Sequence, residues 1–117
     1  ELETKIGLPA DRKWTIGDFR RQTTLREKDH GVDYKSGRPL ASRYEEHFNA
    51  LLARLQPHSA AIRELSKSCM VRLWCAYYTA DYNPVVCLEA TQIEAIHHLG
   101  AALDIEMYRL SAIADDN

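Results

Sequence analysis

Cysteine, glycine and proline are all scarce in this sequence, and no long apolar run interrupts it. The three cysteines stand at positions 69, 75 and 87, an odd number whose spacing fits neither a disulfide framework nor the paired CxxC ligands of a zinc site. Five glycines and four prolines exclude a collagen-like or linker-dominated chain. No apolar stretch approaches the roughly eighteen residues of a membrane-spanning helix, and no secretory leader pattern is visible. Glycine-rich phosphate loops, nucleophile elbows, EF-hands and zinc-finger spacings are also missing, which removes the familiar signatures of nucleotide, hydrolytic and metal chemistry. Neither sign of charge dominates: 15 Lys and Arg stand against 17 Asp and Glu, a net charge of -2.

What is present describes a chain that folds. Its 117 residues read as one domain over 1–117, long enough to bury roughly two-thirds of the unfolded surface. Hydrophobic residues make up 45% and charged residues 27%, an ordinary globular balance. Charge is unevenly placed. Residues 1–43 hold ten Lys or Arg against seven Asp or Glu, and residues 44–117 hold five against ten, so a mildly basic first part joins an acidic second part. Cys75 and Cys87 lie in apolar runs, where a free thiol packs as a small hydrophobe; the expectation is a reducing compartment, the cytoplasm. The sequence opens on Glu1 without a methionine, and residues upstream of it are an expectation that leaves open both a targeting signal and a whole strand.

Residues 1–6, followed by Gly7, Leu8 and Pro9, read as a helix end, with Gly7 as the left-handed cap and Pro9 blocking continuation. Residues 14–19 read as a strand or an extended loop interrupted by Gly17. The polar stretch 20–39 is poorly patterned, with turns at His30-Gly31 and Ser36-Gly37 and a short strand over 32–35. Ser42 and Glu45 have capping-box spacing. Tyr44, Phe48, Leu51, Leu52 and Leu55 then recur on one helical face, leaving Glu45, Glu46, Asn49 and Arg54 toward water. Pro57 breaks that helix, and residues 59–68 make a second with Ile62 and Leu65 inward.

Residues 69–78 alternate with period two: Val71, Leu73, Cys75 and Tyr77 on one face, Arg72, Trp74, Ala76 and Tyr78 on the other. After a turn at 81–84 comes the short apolar run 85–88, which forms a hairpin if it pairs back onto the previous segment. Thr91 and Glu94 offer a second capping box, for a helix with Ile93, Ile96 and Leu99 inward and Gly100 at its end. Leu103, Ile105 and Met107 then alternate with Asp104, Glu106 and Tyr108, the pattern of a strand with one wet face.

The expected fold class is α+β: a ferredoxin-like sandwich, an antiparallel sheet with helices packed on one face and its first strand preceding Glu1. Without that strand the sheet exposes an edge or recruits a partner's. Several stretches carry a resemblance: Ile6-Gly7-Leu8-Pro9, the segment 14–18, His47 with the apolar spacing through Leu55 and Pro57, and the strand from Val71. The ending is the clearest, Ile96-His97-His98-Leu99-Gly100-Ala101-Ala102-Leu103-Asp104-Ile105-Glu106-Met107-Tyr108. In these the chain resembles the DUF4279 family of small domains of uncharacterised function. The resemblance implies the same α+β fold with an opening strand that has no counterpart here, and it transfers no catalytic residue.

Glu94, His97 and His98 come nearest to a reactive constellation. Glu94 precedes them by three and four residues, so it shares part of a helical face with each. The spacing is not HExxH: adjacent histidines point about a hundred degrees apart, and a regular helix does not offer both to one metal. A further ligand would have to come from elsewhere, such as His47. The preferred reading sets one histidine partly buried beside Leu99 and the other in solvent, with no metal and no cofactor. Cys75 reads as a core thiol, and Cys69 as a more exposed one with nothing beside it to activate it. Arg12, Lys13, Arg20, Arg21, Arg26 and Lys28, with Trp14 and Phe19, combine charge and stacking rings as nucleic-acid sites do. Asp11, Asp18, Glu27 and Asp29 dilute them, so a salt-bridged surface is preferred and nucleic acid is disfavoured.

Trp74 and Tyr78, with Tyr77 and Tyr82 near them, decide the functional expectation. Covered by helices, the face they share with Arg72 is simply core. Uncovered, and joined by Asp104 and Tyr108, it is an aromatic patch suited to a protein partner. We therefore expect a non-enzymatic binding or assembly domain, in a homodimer or with a small protein partner, without membrane contact, through Arg72, Trp74, Tyr78, Asp104 and Tyr108. The alternative is a small-molecule-binding protein or metal-dependent enzyme using Glu94, His97 and His98, with His47.

Overall fold

The computed structural model describes residues 1–19, 25–26 and 29–110. Helix α1 (Leu2–Ile6) ends where expected, because Gly7 takes a left-handed φ of 83° and returns its N–H to the Glu3 carbonyl, a conformation that side chains resist. The chain then enters β1 (Arg12–Trp14), which pairs antiparallel with β2 (Gly31–Asp33). The extended segment expected at 14–19 thus comes earlier. Residues beyond it turn around the Asp18 carboxylate, which accepts the Thr15 N–H at 2.8 Å and the Thr15 hydroxyl at 2.9 Å. Gly31 is a strand residue and not a turn. The Trp14 ring lies against it so closely that a Cβ there would meet Cζ2 at 2.1 Å.

One carboxylate fastens this hairpin to the helices. Asp11 Oδ2 accepts Arg54 Nη1 at 2.6 Å and the Lys35 N–H at 2.6 Å, while Oδ1 accepts Arg54 Nη2 at 3.3 Å. Arg54 Nη1 also donates to the Lys35 carbonyl at 2.8 Å. Expected to face water, Arg54 instead bridges two layers, with its guanidinium 5.3 Å from the Tyr34 ring centre. A fork of this kind fixes orientation as well as charge.

Helix α2 (Tyr44–Leu55) buries Phe48, Leu52 and Leu55, as its spacing requires. Its start corrects the capping box. Ser42 is tied into a turn by its N–H to the Pro39 carbonyl at 2.9 Å, so the helix begins after Arg43, which caps it without a side-chain bond. A 3₁₀ turn (Gln56–His58) at Pro57 leads into α3 (Ser59–Leu65), with Ile62 buried. Helix α4 (Ala90–His98) likewise starts before Thr91. Its capping box is Glu89 with Gln92, and the Glu89 N–H donates to Gln92 Oε1 at 2.8 Å. Gln92 then turns inward, 7% exposed, and donates Nε2 to Asn49 Oδ1 at 2.8 Å. That rotation leaves Ile93, expected in the core, 55% exposed.

Strands β3 (Arg72–Thr79) and β4 (Ala102–Arg109) correct the sheet expectation most sharply. They pair in parallel over eight positions, from Arg72 with Ala102 to Thr79 with Arg109. Parallel neighbours need a long crossover, here made by α4. Residues 85–88 therefore do not return as a hairpin strand. Tyr44 takes their backbone instead: the Cys87 N–H donates to its hydroxyl at 3.0 Å, and that hydroxyl donates to the Cys87 carbonyl at 3.5 Å. The class remains α+β, but the described strands form two sheets of two strands, one antiparallel and one parallel. Among the described residues a single antiparallel sheet is not formed. Leu73 of β3 joins Ile6, Phe48, Leu52, Leu55, Ile62, Ile96 and Leu99 in one buried apolar cluster.

Two expectations follow for stability. Gly100 ends α4 at φ 68°, and a Cβ there would lie 2.3 Å from Ser66 Oγ and 2.8 Å from its Cβ. Gly100→Ala should therefore cost about 2 kcal/mol or more, from the left-handed backbone and the clash together, read as a lower urea midpoint. Asp11 ionises below the usual carboxylate range, first because of the Arg54 hydrogen bond and then that of the Lys35 N–H. A depressed native value stabilises the fold above the unfolded pKa of about 3.9, and that contribution is lost as pH falls through the native value. Asp11→Asn should be less stable than the parent at pH 7, and the difference should shrink at pH 3. An unchanged difference across that range would contradict the assignment.

Candidate functional site on the open face of the parallel sheet

Alternation along β3 and β4 sends odd-numbered side chains toward the helices and even-numbered ones away. On the even side the register sets Trp74 beside Asp104, Ala76 beside Glu106 and Tyr78 beside Tyr108. Trp74 is 58%, Tyr78 65% and Tyr108 42% exposed, so this face is not covered by the described helices. Arg72 Nε sits 2.7 Å from Asp104 Oδ2, crossing from one strand to the other. The Tyr78 and Tyr108 rings stack with centroids 4.9 Å apart and planes 17° from parallel, a cross-strand pair of the kind that stabilises sheets.

Glu106 organises the rings. Its Oε2 accepts the Tyr108 hydroxyl, and the Trp74 indole N–H is near enough to favour the carboxylate's charged form. The two groups, Tyr108 first, hold Glu106 below the usual carboxylate range. The same contact raises the Tyr108 phenol, because a carboxylate beside the hydroxyl disfavours its ionisation. Ionised carboxylate and neutral phenol are the states these groups hold near pH 7 in any case, and their contact reinforces both. Rings fixed by hydrogen bonds and stacking suit recognition, since little side-chain freedom remains to be lost on contact. Sequence reasoning placed Glu106 on this wet face without assigning it a role. The available signal was its i−2 position to Tyr108 on a period-two strand.

The outer edge of β3 borders a trough of about 2360 Å³, walled on the far side by β1 and β2 and floored by Phe48, Leu51, Leu55 and Ile62. The core is therefore reached from outside along one edge of the parallel pair.

The alternative constellation is divided. Glu94 Oε1 and His98 Nε2 are 3.4 Å apart beside a shallow cleft of about 220 Å³ that also meets Gln56 and Ser59. His97 and His98 are both exposed, which corrects the expected burial of one. Their ring centroids are 6.1 Å apart. Both ride the last turn of α4, whose carbonyls at 97 and 98 accept Arg63 Nη1 at 2.8 and 3.4 Å. His47 lies on the trough side and hydrogen-bonds Ser36 Oγ through Nδ1 at 2.6 Å. Among the described residues no three His, Cys, Asp or Glu side chains are placed to hold one metal ion.

The cysteines divide differently from the expectation at one position: Cys87, read as a packed small hydrophobe, is exposed, because residues 85–88 do not enter the sheet. Cys75 is half-buried and its thiol is pushed up by desolvation, away from the thiolate a nucleophile needs; Cys69 and Cys87 are exposed. In the basic cluster, Arg12 faces Asp33 at 3.3 Å and covers the Trp14 ring at 4.5 Å. Lys13 pairs with Glu3 at 3.0 Å. Arg26 covers Phe19 at 4.2 Å and donates to the Gly17 carbonyl at 2.8 Å. Arg20, Arg21 and Lys28 lie outside the described residues. No helix among the described residues is long and apolar enough to cross a membrane.

No curated protein and no solved structure matches this chain. A family model does, with the description "Domain of unknown function (DUF4279)", across residues 1–110. That match spans nearly the whole sequence, and the chain belongs to the DUF4279 family.

Proposed function

We propose that this protein is a non-enzymatic binding or assembly domain whose partner, a second copy or a small protein, seats on Trp74, Tyr78 and Tyr108. One observation carries the reading: Trp74 and the stacked pair of Tyr78 and Tyr108, on adjacent parallel strands, stand open to solvent. Contiguous exposed apolar surface of this kind marks interaction sites, and tyrosine, tryptophan and arginine dominate their energetics. The Arg72–Asp104 pair at 2.7 Å borders the rings with a charge pair that fixes register more than affinity.

The two-stranded sheets support the same conclusion. A pair of strands is rarely stable without further strands or a helical layer, and a ferredoxin-like sandwich would be reached by adding strands through assembly. Three free thiols favour a reducing compartment, and we place the protein in the cytoplasm.

Light scattering across a concentration series tests the homodimer. The parent should gain mass with concentration, and Trp74→Ser with Tyr78→Ser should weaken association by about 30-fold, the effect of losing one interface hot spot. Circular dichroism should stay unchanged, because both side chains are already exposed. A parent that remains monomeric, with no Trp74 emission change on mixing with any co-purifying protein, would remove the proposal.

A further inference from the structure

We infer that Glu106, set between Trp74 and the stacked Tyr78–Tyr108 pair, is a binding site for an organic ammonium cation. The inference deepens the reading of this face and rests on it only in taking the face as open to a ligand; it names the chemistry of what seats there.

The register explains why these groups converge. Ala76 stands beside Glu106 and contributes only a methyl group between Trp74 and Tyr78, which are roughly 13 Å apart along the strand. The Tyr108 hydroxyl reaches back to Glu106 Oε2, and the Tyr78 ring accompanies it in the stack at 4.9 Å. From the other end the Trp74 indole N–H comes near the same carboxylate. Rings thus border Glu106 at both ends of this stretch, and Glu106, Trp74 and Tyr78 are all exposed.

The charge at this point is not balanced by its neighbours. Arg72 is taken by Asp104 at 2.7 Å, and Arg109 of β4 lies over the Tyr82 ring at 4.6 Å. Among the described residues Glu106 meets the Tyr108 hydroxyl and the Trp74 indole but no basic side chain. Arg72 and Asp104 cancel, so the Glu106 charge remains, framed by π-systems whose faces are also negative. A weakly hydrated organic cation answers both features. A hard metal ion does not: it needs several oxygen ligands, and among the described residues no three His, Cys, Asp or Glu side chains are placed to hold one. An anion would be repelled. A neutral apolar group would desolvate the carboxylate without pairing it.

Magnetic resonance of the indole N–H groups in the full chain tests this, with tetramethylammonium chloride as probe and sodium chloride at equal concentration as control. The probe should shift the Trp74 signal with half-saturation at about 10 mM or below, and sodium should not. The Trp14 signal should hold, because Arg12 already covers that ring at 4.5 Å. Glu106→Gln keeps an acceptor for Tyr108 and removes the charge, so half-saturation should rise at least about fivefold. Glu94→Gln, on α4, should leave it unchanged. Trp74→Leu should lessen the upfield shift of the probe's own methyl protons, a readout that does not need the indole. Both altered side chains on the face are exposed, so circular dichroism should match the parent's. The inference is overturned by no Trp74 shift up to about 100 mM, by an equal shift with sodium, or by a Glu106→Gln protein that binds as the parent does. Light scattering with saturating probe then separates the sources of the cation. A mass gain that the probe suppresses places the ammonium group on a second copy, and an unaffected mass curve assigns the site to a free small cation. A protein that gains mass but does not bind the probe loses this inference and keeps the assembly reading. A strict monomer that binds it loses the homodimer and keeps this site.

Discussion

The parallel ladder between β3 and β4 is the constraint on which the rest of the structure depends. Parallel strands cannot be joined by a tight turn, so the chain must leave β3, cross the sheet and return, and α4 is that crossing. The crossing places Ile96 and Leu99 over the odd-numbered face, where Leu73 completes the buried cluster. It also requires a sharp stop at Gly100, where close approach to Ser66 leaves no room for a side chain. A hairpin would have required neither, and it would have left α4 without its position over the sheet. One covered face entails an uncovered one, and the aromatic surface of Trp74, Tyr78 and Tyr108 is the consequence.

The Asp11–Arg54 fork plays a different part. Among the described residues the hairpin of β1 and β2 shares no strand pairing with β3 or β4, so its place depends on side chains. Asp11 joins Arg54 of α2 to the Lys35 N–H, and the Tyr34 hydroxyl donates to the Leu8 carbonyl at 2.7 Å. These contacts hold the hairpin as the far wall of the trough without closing it onto β3. Charge-assisted bonds at a partly exposed site supply geometry at modest net energy, which suits a wall that defines a space better than one that fills it.

Much of the fold was legible because periodicity reports burial. Phe48, Leu52 and Leu55 repeat on one helical face, and Leu73 and Leu103 alternate with polar neighbours, so their inward placement follows from spacing alone. Gly7 and Gly100 were legible for a steric reason: helix ends that need a left-handed residue select glycine. Strand direction was not legible, because alternation is the same in parallel and antiparallel pairs. The helix starts were shifted by single side chains. Glu89 and Gln92 satisfy each other as well as Thr91 and Glu94 would have, and only the second bond, from Gln92 to Asn49, selects between them. Nothing in a single sequence records that tertiary preference, and Ile93 was misplaced as a result.

The candidate site was legible in its members and not in its organisation. Arg72, Trp74, Tyr78, Asp104 and Tyr108 fall on one face by parity, whichever way the strands run. In the parallel register Tyr78 stands directly beside Tyr108 and Trp74 beside Asp104, and this brings Glu106 within reach of both the phenol and the indole. An antiparallel register would have set different residues opposite one another and dispersed the rings. The reversal of strand direction thus does more than correct a topology: it turns scattered exposed aromatics into a continuous surface held by one carboxylate. That carboxylate is kept ionised and its phenol neutral, so the groups with the strongest mutual influence on this face are engaged in holding its shape. Rigidity of this kind is what the recognition proposed for this face would draw on.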